Sequence, residues 1–522
     1  SLQLISERMR NRTGHYMGPE MLQSQFDALE IPDYGLHLEV TDSPEALIPK
    51  IRSWLQQTQL SQLGIVGLGV MGRNLALNAL NHHVSVSVYN RKVAQENDLL
   101  DSFLSDCPDK NAQGFDEFEG FIKSLERPRK IVLMIKAGEA VDEVIEQLLE
   151  FLERGDILID GGNSFYRDTE RRYVHLLQKA VHFIGMGISG GAEGALYGPS
   201  MMPGGDRHSY DQVYPILSKI AAIDQHDQPC LNLMGPGGSG HFVKMIHNGI
   251  EYAEMQLLSE IYGLLRVAYN NEQIASIFDR WSASGSDSFL LQISSKILLK
   301  TDKAGKYIVD QILDVAGSKG TGNWAAQQAL ELNVPGGMIN SAVEFRMLSG
   351  FKDSRLRYAE NLKRRSDTHA FSDFELLQQA YDSARLINHH QGFEILAGAS
   401  ANHNWDLDLS EIARIWTQGC IIRSELMNAL VDVFAKDISI LDDKDMFKKI
   451  ARSEAALKTV IQAGFSKDIA MPCFSNALNF WLAITSKNLA TNLIQAQRDF
   501  FGNHGYKRRD SESDKLFNTD WE

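Results

Sequence analysis

The stretch SQLGIVGLGVMGRNLALNAL, residues 61–80, decides the fold. A short apolar run enters a glycine turn spaced as GxGxxG, and an Ala- and Leu-rich pattern with helical spacing follows it. This context predicts a strand, a tight turn and a helix whose N-terminus binds the pyrophosphate of a dinucleotide. The turn residues that we expect to contact the nucleotide are Gly67, Gly69, Val70, Met71 and Gly72. The competing interpretation is a glycine turn in another kind of βα unit.

Short apolar runs continue to alternate with helical patterns from residue 63 to residue 237, and we expect these runs to form strands; they are LGIVGLG, HVSVSVYN, KIVLMIK, DILIDGG, HFIGMGISGG and CLNLMG. This rhythm is typical of βαβ units around a parallel sheet. From residue 238 to residue 490, long amphipathic stretches replace the strand patterns. We therefore predict an α/β Rossmann-type dinucleotide-binding domain (63–237), a large all-α domain (238–490) and a C-terminal tail (491–522). The tail is polar and aromatic, and we expect it to be ordered only against another surface.

Composition and charge exclude several classes of protein. The 522 residues contain 52 Lys and Arg against 67 Asp and Glu, a formal charge of −15, which disfavours binding to the nucleic-acid backbone. Four cysteines without a CxxC pair argue against a zinc site or a disulfide framework. No apolar run approaches the length of a membrane span, and the first residues carry no signal-peptide core. We expect a reduced, cytoplasmic protein without a membrane segment.

The turn after the second predicted strand indicates which dinucleotide binds. An NAD-binding fold usually has Asp or Glu there, to hold the ribose 2′-hydroxyl. This chain has Asn90, Arg91 and Lys92 instead, and cations at that position suit a 2′-phosphate. The sequence therefore favours NADP. The alternative is a solvated turn with two surface cations.

Two further segments are candidate ligand contacts. DGGNS, residues 160–164, follows the fourth predicted strand and places Asn163 at the edge of the sheet where ligands bind. The segment 185–205 contains eight glycines, and we expect Ser189, Gly190 and Gly191 to lie beneath a substrate. Glycine-rich turns without function are the competing interpretation.

The strongest pattern is GPGGSGHFVKMIHNGIEYAEMQ, residues 235–256. Five polar residues at i, i+3, i+4, i+7 and i+8 share one face of the predicted helix; they are Lys244, His247, Asn248, Glu251 and Tyr252. A lysine and a glutamate two turns apart offer a base and an acid for two proton transfers, since burial readily lowers a lysine pKa. A solvated helix face is the alternative.

These motifs resemble the 6-phosphogluconate dehydrogenase family. The matching blocks occur in the family's order and are GLGVMGRNLALN, VYNR, LMIKAG, IDGGNS, ISGGAEGALYGPSMMPGG, GHFVKMIHNGIEYAEMQL, KGTGNW, GCIIRS and NLIQAQRDFFGNHGY. The chain departs from the family pattern at Ala192 and Asn323, and the segment Lys352–Ser372 is shorter than usual. The wider alternatives are another β-hydroxyacid dehydrogenase acting on an unphosphorylated substrate, and a non-catalytic NADP-binding relative.

The resemblance implies a metal-independent oxidative decarboxylation of 6-phosphogluconate to ribulose 5-phosphate and CO₂, with NADP as the cofactor. It makes Lys244 the general base and acid, and Glu251 the acid that protonates C1. The residues that it places at the carboxylate and hydroxyls of the substrate are Asn163, Ser189, Gly190, Gly191, His247 and Asn248. Those that it places at the phosphate are Tyr252, Lys319, Thr321, Arg346, Arg498 and His504.

The same resemblance places Arg498 and His504 in the site of the partner subunit, so that it implies an obligate homodimer with exchanged tails. It also matches Asn90, Arg91, Lys136 and Asn163 to cofactor positions. For Lys319, Arg346 and Arg498, the sequence without the resemblance favours ordinary surface charge.

Residues 1–60 resemble a different family, the gluconate kinases. The match is short and consists of an RxxxxGHxM-like run, which starts at Arg10 and contains Gly14, His15 and Met17, and of QSQFDALE. A kinase needs a GxxxxGK[ST] loop, and residues 1–60 contain none. We expect a truncated kinase-like segment without kinase activity, from a gluconate kinase–dehydrogenase fusion; a natural extension with a role in assembly is the alternative. We also expect a strand at Tyr34–Val40 and a linker at Gln56–Gln62.

Overall fold

The computed structural model describes residues 2–10, 22–27, 36–39, 41–58, 60–92, 98–107, 111–318, 320–362, 369–511 and 514–521. None of the helices in these ranges combines the length and the apolar composition that a membrane crossing requires.

The described part of residues 1–60 contains three helices. Their bounds are α1 Leu2–Arg10, α2 Leu22–Asp27 and α3 Pro44–Thr58. The predicted linker is partly wrong, because α3 continues to Thr58. The predicted strand is also wrong at residues 36–39, which lie outside any helix or strand; no strand in the described part of the chain pairs with them, and a strand needs such a partner. Gly14, His15 and Met17 lie outside the described residues.

A seven-stranded sheet in the order β3-β2-β1-β4-β5-β6-β7 forms the centre of the next domain. Its strands are β1 Leu63–Val66, β2 Val86–Tyr89, β3 Ala112–Phe115, β4 Lys130–Leu133, β5 Ile157–Asp160, β6 His182–Ser189 and β7 Ser200–Gly204. The parallel sheet is confirmed for β1 to β6, whereas β7 runs antiparallel to β6. β3 and β7 were not predicted, and the strand expected at Cys230–Gly235 is reduced to one bridge between Leu231 and Met201.

Helices cover this sheet on both faces. They are α4 Val70–Asn81, α5 Leu99–Ser105, α6 Phe118–Lys123, α7 Glu139–Leu149, α8 Tyr166–Gln178, α9 Gly191–Tyr197 and α10 Arg207–Ile220. Neighbouring side chains of a strand point to opposite faces of the sheet. In β1, Ile65 therefore packs in the apolar cluster on one face and Val66 packs in the cluster on the other face. Burial on both faces explains the continuous Val, Ile and Leu runs of these strands.

The following domain is helical in its described part, apart from isolated β-bridges such as the one between Thr301 and Tyr307. Its helices are α11 Ser239–Leu265, α12 Asn271–Trp281, α13 Phe289–Leu299, α14 Thr321–Glu331, α15 Gly337–Gly350, α16 Lys352–Glu360, α17 Phe374–His403, α18 Leu409–Ile415, α19 Glu425–Phe434, α20 Lys444–Ser466, α21 Pro472–Ile484 and α22 Thr491–Gly502, with a π-helical turn at Ser282–Ser286 and a 3₁₀ turn at Val309–Gln311. One large apolar cluster runs through α11 to α21.

Helix α11 joins the two domains, because its first turns pack directly on β6 and β7. A Cβ atom at Gly187 would lie 2.3 Å from the Cβ atom of Lys244, and one at Gly240 would lie 2.2 Å from the carbonyl oxygen of Met202. Glycine is therefore required on both sides of this junction. The close approach places Lys244 directly beside β6.

Candidate active site

The glycine turn between β1 and α4 leaves open backbone at the N-terminus of the helix. Gly67 has a φ of +98°, which L side chains rarely adopt. A Cβ atom at Gly72 would lie 2.0 Å from the carbonyl oxygen of Gly67, whereas one at Gly69, the N-cap of α4, would meet nothing within 4 Å. The turn therefore fits a pyrophosphate bound to the first N–H groups of α4.

Asn90 closes this turn from the neighbouring strand. Its side chain is buried, and its Oδ1 accepts a hydrogen bond from the Leu68 N–H at 3.0 Å. The sequence suggested only that Asn90 contacts the cofactor. The structure shows in addition that Asn90 holds the glycine turn in place through its hydrogen bond with Leu68. Arg91 and Lys92 follow as exposed residues, and the Lys92 ammonium is ion-paired with Asp116 at the end of β3.

The turn after β5 presents Asn163. The buried Asp160 carboxylate accepts hydrogen bonds from the Gly162 N–H at 3.0 Å and from the Ser164 hydroxyl at 2.6 Å. These bonds fix the turn, and Asn163 remains exposed at the carboxyl edge of the sheet, as does Lys136 after β4. Ligands of open α/β sheets bind at this edge. The strand before the turn is the fifth rather than the fourth, because β3 was not predicted.

The glycine-rich segment after β6 reaches the helical domain. Gly190 has a φ of +112°, and a Cβ atom there would lie 2.5 Å from the carbonyl oxygen of Gly419. Gly191, with a φ of +63°, begins α9. The Ser189 Oγ lies 3.1 Å from Nε2 of His247. These three residues therefore lie between the two domains, where the sequence predicted a ligand.

Four of the five polar residues predicted on one face of α11 form a connected group. Nζ of Lys244 lies 3.4 Å from Nδ1 of His247. The same Nδ1 lies 3.2 Å from Oδ1 of Asn248 and 3.8 Å from Oε2 of Glu251. The Asn248 amide donates a hydrogen bond to Oγ1 of Thr321 at 3.1 Å. Helical spacing thus produces contacts along one buried face, with His247 at their centre.

Burial determines the charges in this group. It lowers the pKa of Lys244, which is 6% exposed, although Glu251 and Cys420 act to raise that pKa. Burial raises the pKa of Glu251, while Lys244 and Arg346 act to lower it. The pKa of His247 lies well below its ordinary value because of burial and the Lys244 charge. The site therefore favours a lysine that can lose its proton, a carboxyl group that can keep one and a neutral imidazole.

Tyr252 lies beside a second cation, Arg346. The Arg346 guanidinium stacks over the Tyr252 ring at 3.5 Å from its centroid and donates to the carbonyl oxygen of Gly317 at 3.2 Å. Thr321 is the first residue of α14, so that the N-terminus of this helix opens next to the group on α11. This end of the site suits an anion. Lys319, which was predicted here, lies outside the described residues.

The predicted tail residues, Arg498 and His504, do not join this group within the chain. The Arg498 guanidinium donates to Oε1 of Gln495 at 3.1 Å, and the His504 ring packs edge-on against Phe501, with the ring centroids 6.1 Å apart. The hydrogen bonds described for residues 490–521 stay within that segment.

The tail is organised around Asp499. The buried carboxylate accepts hydrogen bonds from the Gly505 N–H, the Asn518 amide, the Thr519 N–H and the Trp521 indole. Around it, six large apolar side chains are between 43% and 72% exposed; they are Leu493, Ile494, Phe500, Phe501, Leu516 and Trp521. So many exposed large apolar side chains in one short segment are typical of a contact with another chain.

Two buried neighbours of the group on α11 were not predicted. The Trp416 ring packs edge-on against His247, with the centroids 5.3 Å apart, and the Cys420 thiol donates to the Trp416 carbonyl oxygen at 3.0 Å. The GCIIRS block contained a signal for Cys420, while nothing in the sequence singled out Trp416. Within the described residues, no three His, Cys, Asp or Glu side chains are grouped so that they could hold a metal ion.

Two family models match the chain. Residues 62–235 match the NAD binding domain of 6-phosphogluconate dehydrogenase, and residues 240–521 match the C-terminal domain of 6-phosphogluconate dehydrogenase. The decarboxylating 6-phosphogluconate dehydrogenase of Chlamydia trachomatis is 42% identical over 473 residues, which are 88% of this chain and 97% of the relative. The NADP(+)-dependent, decarboxylating enzyme of Bacillus subtilis is 42% identical over 474 residues, 88% of this chain and 99% of the relative.

A solved structure extends the similarity to three dimensions. The 6-phosphogluconate dehydrogenase of Plasmodium falciparum, studied in its apo form, with its cofactor NADP+ and with its substrate 6-phosphogluconate, superimposes with a TM-score of 0.83 at 37% identity. The superposition covers 88% of this chain and 100% of that protein. This chain therefore belongs to the 6-phosphogluconate dehydrogenase family.

Proposed function

We propose that the chain catalyses the NADP-dependent oxidative decarboxylation of 6-phosphogluconate to ribulose 5-phosphate and CO₂. The observation that carries the proposal is the buried group of Lys244, His247, Asn248 and Glu251, next to the glycine-rich segment after β6. Members of its family with the same activity are 42% identical to the chain over almost their whole length.

The cofactor would bind at the carboxyl edge of the sheet. The residues that would hold it are Gly67, Gly69, Val70, Met71, Gly72, Asn90, Arg91, Lys92, Lys136 and Asn163. The open backbone at Gly69 and the cations after β2 support this placement. When bound, NADP+ supplies the acceptor for the hydride that leaves C3 of the substrate.

Lys244 acts first as the general base in this proposal. As a neutral amine it takes the proton of the 3-hydroxyl group while C3 is oxidised to a ketone. It then returns that proton to the ketone oxygen as the β-keto acid loses CO₂, and this polarisation lets the decarboxylation proceed without a metal. The lowered pKa of Lys244 supports both roles, because an ordinary lysine is almost fully protonated near neutral pH.

Glu251 acts second, as the acid. Loss of CO₂ leaves an enediol. Glu251 protonates C1 of this enediol, which was C2 of the substrate, while the neutral Lys244 amine takes the proton of the adjacent hydroxyl group, and the ketose results. A carboxyl group can donate a proton near neutral pH only if its pKa is raised, which burial does here. Glu251 lies one helical turn beyond His247, with 3.8 Å between its Oε2 and Nδ1 of His247.

The remaining polar residues orient the substrate. Those proposed for its carboxylate and hydroxyls are Asn163, Ser189, Gly190, Gly191, His247 and Asn248, and those for its phosphate are Tyr252, Lys319, Thr321 and Arg346. Arg346 supplies a guanidinium, which suits a phosphate, and the N-terminus of α14 adds a favourable dipole.

The tail completes the site of a second subunit in this proposal. Arg498 and His504 would reach the substrate phosphate in the partner subunit, which makes the protein an obligate homodimer with exchanged tails. The exposed apolar side chains of the tail support such an exchange, because a partner would cover them.

We also propose the division into a nucleotide-binding domain (63–237), a helical dimerisation and substrate domain (238–490) and a tail (491–522). The helical composition beyond residue 238 supports it. The reaction would belong to the pentose phosphate pathway in the cytoplasm, with partners that include neither nucleic acid nor a membrane.

Residues 1–60 would derive from a gluconate kinase fused to the dehydrogenase. The support is the short sequence pattern around Gly14 and His15 and the QSQFDALE motif. A fusion of this kind would couple the formation of 6-phosphogluconate to its consumption. The chain mixed with gluconate and ATP should form no 6-phosphogluconate; formation of that product would contradict the expectation that this segment lacks kinase activity.

The decisive experiment is to follow the absorbance of reduced nicotinamide with the purified chain. We expect rapid reduction of NADP+ with 6-phosphogluconate and slow reduction of NAD+. An unphosphorylated sugar acid, gluconate, should give little turnover. Turnover of gluconate as efficiently as 6-phosphogluconate would favour another β-hydroxyacid dehydrogenase, and a folded, NADP-binding chain without turnover would overturn the proposal.

A further inference from the structure

A carboxylate lies beside the cations assigned to the cofactor. Tyr89 and Phe115 are paired at the ends of β2 and β3, and the Asn90 N–H donates to the Phe115 carbonyl oxygen at 3.1 Å. The next residue after β3, Asp116, therefore lies alongside the turn that contains Lys92. Its carboxylate forms an ion pair with the Lys92 ammonium.

Both members of this pair are charged at neutral pH. The hydrogen bond from Lys92 lowers the pKa of Asp116, although burial acts to raise it. Asp116 in turn raises the pKa of Lys92, and Asp101 and Glu117 add smaller effects in the same direction. The Lys92 side chain is 75% exposed and the Asp116 side chain is 31% exposed. Water therefore solvates this ion pair, and the two side chains can separate readily.

We propose that Asp116 limits the preference of this enzyme for NADP over NAD by holding Lys92. The inference rests on the proposed function, in which the turn after β2 receives the 2′-phosphate. To bind, that phosphate must draw Lys92 away from Asp116. The Asp116 carboxylate also repels the phosphate directly, because both are negatively charged. NAD carries a neutral hydroxyl group in place of the phosphate, so that Asp116 does not oppose its binding in this way.

The test is the dissociation constant of NADP+ and of NAD+, measured by titration calorimetry at one fixed salt concentration. The variants are Asp116→Asn, Lys92→Ala and the double variant, and Glu119→Gln is the control. Glu119 is an exposed carboxylate that pairs with Lys123 within α6, a lysine that has no role in the proposed cofactor site. The Glu119→Gln substitution therefore removes one negative charge, as Asp116→Asn does, but leaves the ion pair of Lys92 intact.

Asp116→Asn should tighten NADP+ binding by about three- to tenfold and leave NAD+ binding within about twofold, because one unit charge near a dianion is removed. Glu119→Gln should change neither value. In the double variant, compared with Lys92→Ala, most of the gain should disappear, since most of it acts through Lys92, and only the smaller effect of the direct repulsion should remain. A change in folding alone would affect both cofactors alike and would not alter their ratio.

An unchanged NADP/NAD ratio in Asp116→Asn would overturn the inference, as would an equal gain in Glu119→Gln. A gain that persists in full between Lys92→Ala and the double variant would overturn the role of Lys92. Turnover of 6-phosphogluconate by the wild-type chain is measured in parallel. Its absence would reject the proposed function separately, because the ratio of cofactor affinities is read without the reaction.

Discussion

A lysine acts as a base near neutral pH only where its surroundings disfavour the ammonium. Lys244 meets this condition by burial against β6, and His247 offers it a neutral contact 3.4 Å away. The nearby Glu251 carboxyl group acts to raise the Lys244 pKa, against the effect of burial. Each group therefore moves the pKa of the other back toward its ordinary value, so that a change in one should be visible in the titration of the other.

Replacing Lys244 with Met should lower kcat by about two to four orders of magnitude, because it removes the proton acceptor but keeps an apolar side chain of similar length. The affinity for NADP+, measured by calorimetry, should be unchanged. Lys130→Met is the matched control, since burial also lowers the pKa of Lys130, which lies on β4 outside the site. Near-normal turnover of Lys244→Met would show that this lysine is not the base.

The pH profile should separate the acid from the base. In the proposed mechanism, turnover needs a deprotonated Lys244 and a protonated Glu251, so that kcat/KM should rise and then fall with increasing pH. In Glu251→Gln the fall at alkaline pH should disappear and the rise at acidic pH should remain, because only Lys244 still titrates. An alkaline limb that survives in Glu251→Gln would assign that limb to another group.

Helical spacing was sufficient to predict which side chains of α11 meet. Lys244, His247 and Asn248 are neighbours because they lie on one face, and no tertiary information was needed. The bond from Leu68 to Asn90 could not be predicted in this way, because it depends on the pairing of β1 with β2. Trp416 was missed for the same reason, since only folding brings it to His247.

The packing of α11 on β6 depends on glycine at the scale of these elements. In Gly187→Ala the new Cβ atom would lie 2.3 Å from the Cβ atom of Lys244, so that the helix must move. We expect a loss of about 1–3 kcal/mol in the free energy of unfolding, from thermal denaturation, and a lower kcat because Lys244 is displaced.

Gly263→Ala is the control on α11, the helix that packs against Gly187 of β6. Its Cβ atom would lie 3.5 Å from Cγ2 of Ile469, an ordinary contact. Removing a glycine from the helix interior should leave stability equal or raise it by up to about 1 kcal/mol. Equal stability and kcat for Gly187→Ala and the wild type would show that α11 can shift on β6 without affecting the site.

Strands were predicted at apolar runs, such as those of β1 and β4, and the two strands without such a run, β3 and β7, were missed. β3 has the sequence AQGF and β7 the sequence SMMPG, which contain no Val, Ile or Thr. Both are the outermost strands of the sheet, and they form because β2 and β6 offer open edges for pairing. Pairing with a preformed edge is a tertiary effect that local sequence does not encode.

At the scale of the whole molecule, the tail is the part whose proposed function depends on a second chain. Asp499 gives it a fold of its own, while its apolar residues remain exposed. The sequence indicated only that the tail is ordered against another surface. The resemblance to the family implied that this surface belongs to the partner subunit. If Arg498 serves the partner's phosphate site, then no single chain contains a complete site.

Subunit complementation tests this arrangement. Lys244→Met and Arg498→Ala should each turn over poorly at low 6-phosphogluconate, the first through kcat and the second through a KM raised by about tenfold or more. In a hybrid dimer with exchanged tails, the subunit that keeps Lys244 receives Arg498 from its partner. Co-refolding equal amounts should therefore restore about a quarter of the wild-type sites, since half of the dimers are hybrids with one intact site each. If each tail served its own subunit, the hybrid would contain no intact site, and the mixture would be no more active than the average of its two components.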